Sequence, residues 1–177
     1  LLTVGSLTRR KAHDVLISAL ADVAALDWEA RFVGGDHFDA EWAQRLRAQV
    51  AAENLEHRIQ FAGLVPDVEP EYQQADVFIL PSRFEGYGMV FAEALSAGLP
   101  VIAAKAGAVP DVVPGTAGLL VAPDVPEALA GAIHKLLTTA GLRQQLQQGA
   151  RACAAELPTW RDSAEKVCTR LREVSQA

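Results

Sequence analysis

The chain predicts an α/β fold: a Rossmann-like, doubly wound parallel sheet of about six strands, forming one domain over residues 1–177 with a helical C-terminal cap. Three observations lead there. Short apolar runs alternate with stretches of helical period. The runs are followed by glycine or proline, at Gly5-Ser6, Gly34-Gly35, Gly63-Leu64 and Pro81-Ser82. The connections are short, which suits strand–helix–strand crossovers. In such sheets ligands bind outside the carboxyl ends of the strands, so these four turns should converge on one rim.

Each element has its own reason. Leu1–Val4 is apolar and runs into Gly5, as a buried strand does. His13–Leu26 carries Val15, Leu16, Ala19, Leu20 and Val23 at helical spacing. Ala30–Val33 reads as a second strand, Glu41–Glu53 as an amphipathic helix and Arg58–Ala62 as a third strand. A short helix over Glu69–Gln74 leads to a fourth strand, Asp76–Leu80. The helix over Gly88–Ala97 stops at Gly98, which suits the left-handed position past a helix end. Val101–Ala104 and Gly118–Val121 complete the strands. Helices are then expected over Pro126–Ala140, Leu142–Ala155 and Thr159–Val174, with Thr159 as N-cap of the last.

Composition narrows the function classes. Half of the 177 residues are hydrophobic and 21% are charged, ordinary values for a globular domain with a substantial core. The net charge of −6 disfavours a nucleic-acid binder, which needs a basic face. No apolar run is long enough to span a membrane. The chain opens at Leu1 inside an expected strand, which reads as a fragment of a longer protein. Cys153 and Cys168 lack metal-ligand spacing and read as reduced thiols. His13, His37, His57 and His134 are scattered without zinc-type pairing, and only His13, close to Lys11, merits a test. Trp28, Trp42 and Trp160 read as packing residues.

The densest chemistry lies in Pro81-Ser82-Arg83-Phe84-Glu85-Gly86-Tyr87-Gly88-Met89-Val90-Phe91-Ala92-Glu93. Two carboxylates stand eight positions apart, Glu85 before a Gly-x-Gly turn and Glu93 within an apolar helix. A buried, unpaired carboxylate is costly, and a ligand bearing hydroxyls would relieve Glu93 by donating to it. Gly86 and Gly88 let the backbone approach a ligand with positive φ. The helix they open offers free N–H groups, at Met89 and Val90, for an anion. Hydroxyls beside a phosphate describe a nucleotide-sugar. No Ser-His-Asp arrangement, Cys-x-x-Cys pair, Walker loop or complete dinucleotide fingerprint is present. Arg83, two residues before Glu85, could pair with a carboxylate or face solvent.

The Glu-x7-Glu spacing within PSRFEGYGMVFAEALSAGLPVIA resembles the signature of retaining glycosyltransferases of the GT-B fold, family 4 type. VGSLTRRKAHDVLISAL is similar to that family's opening strand, phosphate loop and helix, and ADVFILPS, GLPVIAA and AGLLVAP to its later strands. The resemblance covers nearly the whole chain and implies the C-terminal, donor-binding half, with an N-terminal acceptor-binding domain as its partner. It implies a nucleotide-diphosphate sugar donor, UDP- or GDP-linked, no metal or other cofactor, and cytoplasmic work, peripheral at the inner membrane face through the other half. By the same resemblance Glu85 lies by the donor sugar and Glu93 binds the ribose hydroxyls. Lys11, with Arg10 or Arg9, neutralises the leaving diphosphate. Gly5, Ser6, Gly63, Leu64, Gly86, Tyr87, Gly88, Met89 and Val90 line the donor, with Arg58 a lesser candidate. The family commonly has Arg where this chain has Ser6, and Gly where it has Ala12. The acceptor stays open between glycan, lipid and small molecule. A sugar phosphorylase, a nucleotide-sugar epimerase and a degenerate binding subunit remain as alternatives on the same fold.

Overall fold

A computed structural model describes residues 1–157 and 160–175, with the side chains of residues 160, 162, 163 and 175 outside the description. Six strands form one sheet: β1 (Leu2–Val4), β2 (Ala30–Val33), β3 (Ile59–Gly63), β4 (Phe78–Leu80), β5 (Val101–Ala104) and β6 (Gly118–Val121). Their order is β3-β2-β1-β4-β5-β6 and every pairing is parallel. The helices are α1 (His13–Asp22), α2 (Ala40–Ala52), α3 (Glu69–Gln74), α4 (Met89–Ser96), α5 (Val109–Val112), α6 (Pro126–Thr138), α7 (Leu142–Ala154) and α8 (Trp160–Ser175). A 3-10 turn, Arg9–Lys11, leads into α1.

Side-chain alternation along the central strands builds two cores. Phe78, Leu80, Val101 and Ala103 face the layer that contains Tyr72 of α3, Phe91 and Leu95 of α4 and Val109 of α5. Ile79 and Ile102 face the opposite layer, with Leu16 and Leu20 of α1, Leu46 of α2 and Ile133 of α6. Strands buried on both faces need no polar face, which is why they read as unbroken apolar runs. In the C-terminal third, α6 joins the layer of α1. Helix α7 spans the two cores through Leu146 and Ala150. On α8, Val167, Leu171 and Val174 are exposed. The expected Thr159 cap and the Trp160 side chain lie outside the described residues. Among the described residues no helix is long and apolar enough to cross a membrane.

Two expectations change. The first helix ends at Asp22 rather than Leu26. The Trp28 indole N–H takes the Val23 carbonyl at 2.9 Å, and Arg58 donates to the carbonyls of Ala24, Leu26 and Trp28. Arg58 also lies 3.9 Å from the centroid of the Trp28 ring. It is therefore a structural residue beside the start of β3, at the opposite end of the strands from the functional rim. The short α5 and the 3-10 turn had no periodic signal, because neither completes enough turns to show one.

The strand order reverses direction between β1 and β4. The chain leaves these neighbouring strands for helices on opposite faces, α1 in one layer and α4 in the other, and the carboxyl ends at such a switch point are the usual ligand position in these sheets. The loops after β1 and β4 are Gly5–Ala12 and Pro81–Gly88.

Candidate functional site

The meeting of the β1 and β4 loops is built around a buried ion pair. Lys11 Nζ donates to Glu85 Oε1 at 2.6 Å, although Lys11 is 8% exposed and Glu85 5%. Ser82 Oγ donates to the same oxygen at 2.7 Å. Arg10 Nη1 donates to Glu85 Oε2 at 3.1 Å and to the Phe84 carbonyl. Burial acts to raise the Glu85 pKa, but the hydrogen bonds from Lys11 and Ser82 and the charges of Lys11 and Arg10 outweigh it, and the carboxyl sits below its ordinary value. The cluster thus contains one anion and two cations. It keeps a net positive charge at a rim of a chain that is acidic as a whole.

Backbone geometry brings these groups within reach. Gly5 lets the Lys11 side chain run across it, since a Cβ there would lie 3.3 Å from Lys11 Cδ and Cε. Ala12 adopts the left-handed conformation, φ 53°, at the junction of the 3-10 turn and α1. That conformation favours glycine, the residue type that the resembling family commonly has at this position, and Ala12 adopts it despite its Cβ. Gly107, φ +57°, packs so closely that an added Cβ would sit 2.0 Å from the Glu85 carbonyl oxygen. Ala108 N–H donates to that same oxygen at 3.1 Å.

Arg83 fastens the two loops together. Its guanidinium makes two bonds to the Asp14 carboxylate, at 3.1 and 2.8 Å, and one to Asp124 at 2.7 Å. It also donates to the Arg9 carbonyl, while its own N–H donates to the Arg10 carbonyl at 2.8 Å. Of the two readings open for Arg83, pairing with a carboxylate is the one observed. His13, the first residue of α1, is 0% exposed, and neither ring nitrogen has a hydrogen-bond partner. Burial first, then the Lys11 charge, pushes its pKa down to about 4 against a smaller opposing effect of Asp14. At neutral pH it is an uncharged packing residue against Phe32, with ring centroids 5.5 Å apart.

Glu93 stands apart from this cluster. It is half-buried, and Tyr72 of α3 donates its hydroxyl to Glu93 Oε2 at 2.8 Å. The carboxylate therefore has a protein partner, which the expectation of an unpaired charge did not foresee. Glu93 lines a groove of about 460 Å³ with Asp67, Val68, Glu69, Tyr72 and Ser96. Burial, the hydrogen bond to Glu93 and the Glu93 charge raise the Tyr72 pKa well above its ordinary value, so the hydroxyl is a donor at neutral pH.

The structure brings Lys11, Arg10, Glu85 and Gly5 together and moves Arg9 elsewhere. Arg9 lies 4.5 Å over the Trp42 ring of α2. Ser6 accepts from Thr8 N–H within its own turn. Gly63, φ +69°, accepts from Gly34 N–H at 2.9 Å, and the neighbouring Leu64 is exposed. Gly88 is left-handed, φ 77°, and caps α4, whereas Gly86 does not take positive φ and faces open space. Tyr87 and Met89 are about half exposed beside it. The N–H groups of Met89 and Val90 begin α4 and have no partner inside the helix. His37, His57 and His134 lie outside the cluster. Reading the sequence missed Ser82, Tyr72 and the Gly107-Ala108 loop. Ser82 had a signal, three residues before Glu85 in the turn after β4. Tyr72 had none, because its contact crosses 21 residues and two helices.

Comparison with known proteins identifies the family and the fold. The family model for glycosyl transferases group 1 matches residues 1–139. A D-inositol 3-phosphate glycosyltransferase of Corynebacterium diphtheriae is 34% identical over 171 residues, covering 93% of this chain and 40% of that protein. Anabaena HepE, solved in complex with UDP and glucose, superposes with a TM-score of 0.89 at 25% identity, over 97% of this chain and 48% of its own. The C-terminal domain of the group 1 glycosyl transferase LpcC from Francisella tularensis shares the fold, with a TM-score of 0.80 at 24% identity over 88% of this chain and 84% of that domain. The chain thus spans less than half of the two longer proteins. It belongs to the glycosyl transferases group 1 family, with the fold of the C-terminal domain of a GT-B glycosyltransferase.

Proposed function

We propose that this domain holds a nucleotide-diphosphate sugar, UDP- or GDP-linked, for transfer to an acceptor with retention of anomeric configuration, as in family 4. The observation that carries the reading is the Lys11–Glu85–Arg10 cluster at the β1/β4 switch point, one turn from the free N–H groups of α4. A diphosphate placed there meets two cations already held by Glu85, whose carboxylate Ser82 also anchors, and no metal or other cofactor is required. Glu85 orients the donor sugar, Gly86 to Val90 supply the backbone approach, and Glu93 accepts the ribose hydroxyls. Gly63 and Leu64 flank the base, and Gly5 and Ser6 the phosphates. As the donor's anomeric C–O bond breaks, Lys11 and Arg10 stabilise the departing diphosphate. The acceptor oxygen bonds to the same face of that carbon and passes its proton to the leaving phosphate oxygen. UDP in the Anabaena neighbour supports the donor class. The acceptor is bound by an N-terminal domain, and the setting is the cytoplasm or the inner face of a membrane, without nucleic acid.

A thermal-shift panel of UDP, GDP, ADP and their sugar conjugates tests the reading. A ligand at a hundredfold its dissociation constant should raise the melting temperature by roughly 5–10 °C. No shift with any nucleotide, for this chain or for the full-length protein, would defeat it. The two carboxylates should also separate. Glu93→Ala is expected to weaken free nucleotide and nucleotide-sugar alike, by about tenfold or more. Glu85→Gln, titrated well below its melting transition, should weaken the nucleotide-sugar preferentially. Equal losses of both ligands in both variants would break the assigned roles.

A further inference from the structure

We propose that Tyr72 is a positioning residue that presets the Glu93 carboxylate for the two ribose hydroxyls and so sets the preference for ribonucleotides over deoxyribonucleotides. The inference rests on the donor-site reading above.

The geometry is specific. Tyr72 is buried, and its ring packs against Phe78 with centroids 5.8 Å apart, so the hydroxyl has a fixed origin. That hydroxyl lies 2.8 Å from Glu93 Oε2 and 3.3 Å from the Val90 carbonyl. It has a single proton, and the shorter contact to a carboxylate takes it. Glu93 is a long side chain on the face of α4 toward α3, and unrestrained it would sample several rotamers. Anchoring Oε2 from α3 leaves Oε1, and the second lone pair of Oε2, as acceptors for a vicinal diol. A carboxylate held in one orientation offers such acceptors to adjacent hydroxyls without first losing rotamer freedom. A deoxyribose, with one hydroxyl fewer, gains less from this arrangement.

The test is calorimetric titration of UDP, GDP and their 2′-deoxy counterparts into the unsubstituted protein, Tyr72→Phe and Glu93→Gln, with melting temperatures measured in parallel. Tyr72→Phe removes only the hydroxyl and keeps the ring in the core. It is expected to weaken the bound ribonucleotide roughly three- to tenfold and its 2′-deoxy form by clearly less. The ribo-to-deoxy ratio should shrink further in Glu93→Gln. Unchanged ribonucleotide affinity in Tyr72→Phe would overturn the inference and leave the donor site standing. Equal loss of both nucleotides would also overturn it, by showing a general structural role. Absence of any nucleotide binding to the unsubstituted protein would remove the donor site itself, and the role of Tyr72 with it.

Discussion

Glu85→Gln should lose about 3–5 kcal/mol of folding stability at neutral pH, measured as a shift of the urea midpoint at constant m-value. The Lys11 ammonium is buried and rests 2.6 Å from Glu85 Oε1, and an amide there leaves it without an opposite charge at that contact. Lys11→Met should cost less, because Ser82 and Arg10 still hold the carboxylate. The double variant should recover much of the loss, since a buried pair replaced as a whole is far less costly than a pair broken. Strict additivity of the two single effects would show that the pair is not coupled in solution. The pH dependence has a definite sign. Glu85 has a lowered folded pKa, so its contribution is complete above the ordinary Glu value near ~4.3. It disappears as pH falls through the lowered folded value.

A second acid response should appear at higher pH and come from His13. Its folded pKa is lowered to about 4 from an ordinary 6.5. Between those values the unfolded chain takes up a proton that the folded chain refuses, so stability falls as pH falls. From pH 7.5 to pH 5 the loss attributable to His13 is about 2 kcal/mol. His13→Leu should remove that loss while keeping stability at pH 7.5 close to the original. The ring nitrogens make no hydrogen bonds that an apolar side chain would forfeit. An unchanged pH slope in His13→Leu would assign the acid response to other groups.

The strands were legible because they are short, mostly apolar runs bounded by turn residues, and the central β4 and β5 are buried on both faces. Ala30–Val33 and Val101–Ala104 needed no tertiary information beyond that. Boundaries failed where a distant side chain decided them. The end of α1 is set by Trp28 and by Arg58, which lies more than 30 residues downstream of the carbonyls at Ala24 and Leu26. The same divide runs through the candidate site. Glu85, Lys11 and Arg10 stood out because charged residues beside glycine turns at strand ends have few structural uses. Arg9, their neighbour in the same basic run, was indistinguishable from them until the 3-10 turn directed it to Trp42.

By itself, the sequence determined the layer architecture, the rim on which the loops meet, and the residue types that could hold an anion and a diol. These follow from local period and turn chemistry, which act over a few residues. Only the tertiary structure decided the pairings: Lys11 with Glu85 across 74 residues, Arg83 with Asp14 across 69 and Tyr72 with Glu93 across 21. Such pairings depend on which helices and loops the reversal of strand order brings side by side. A charge in a sequence carries no record of the partner that a parallel sheet will place against it.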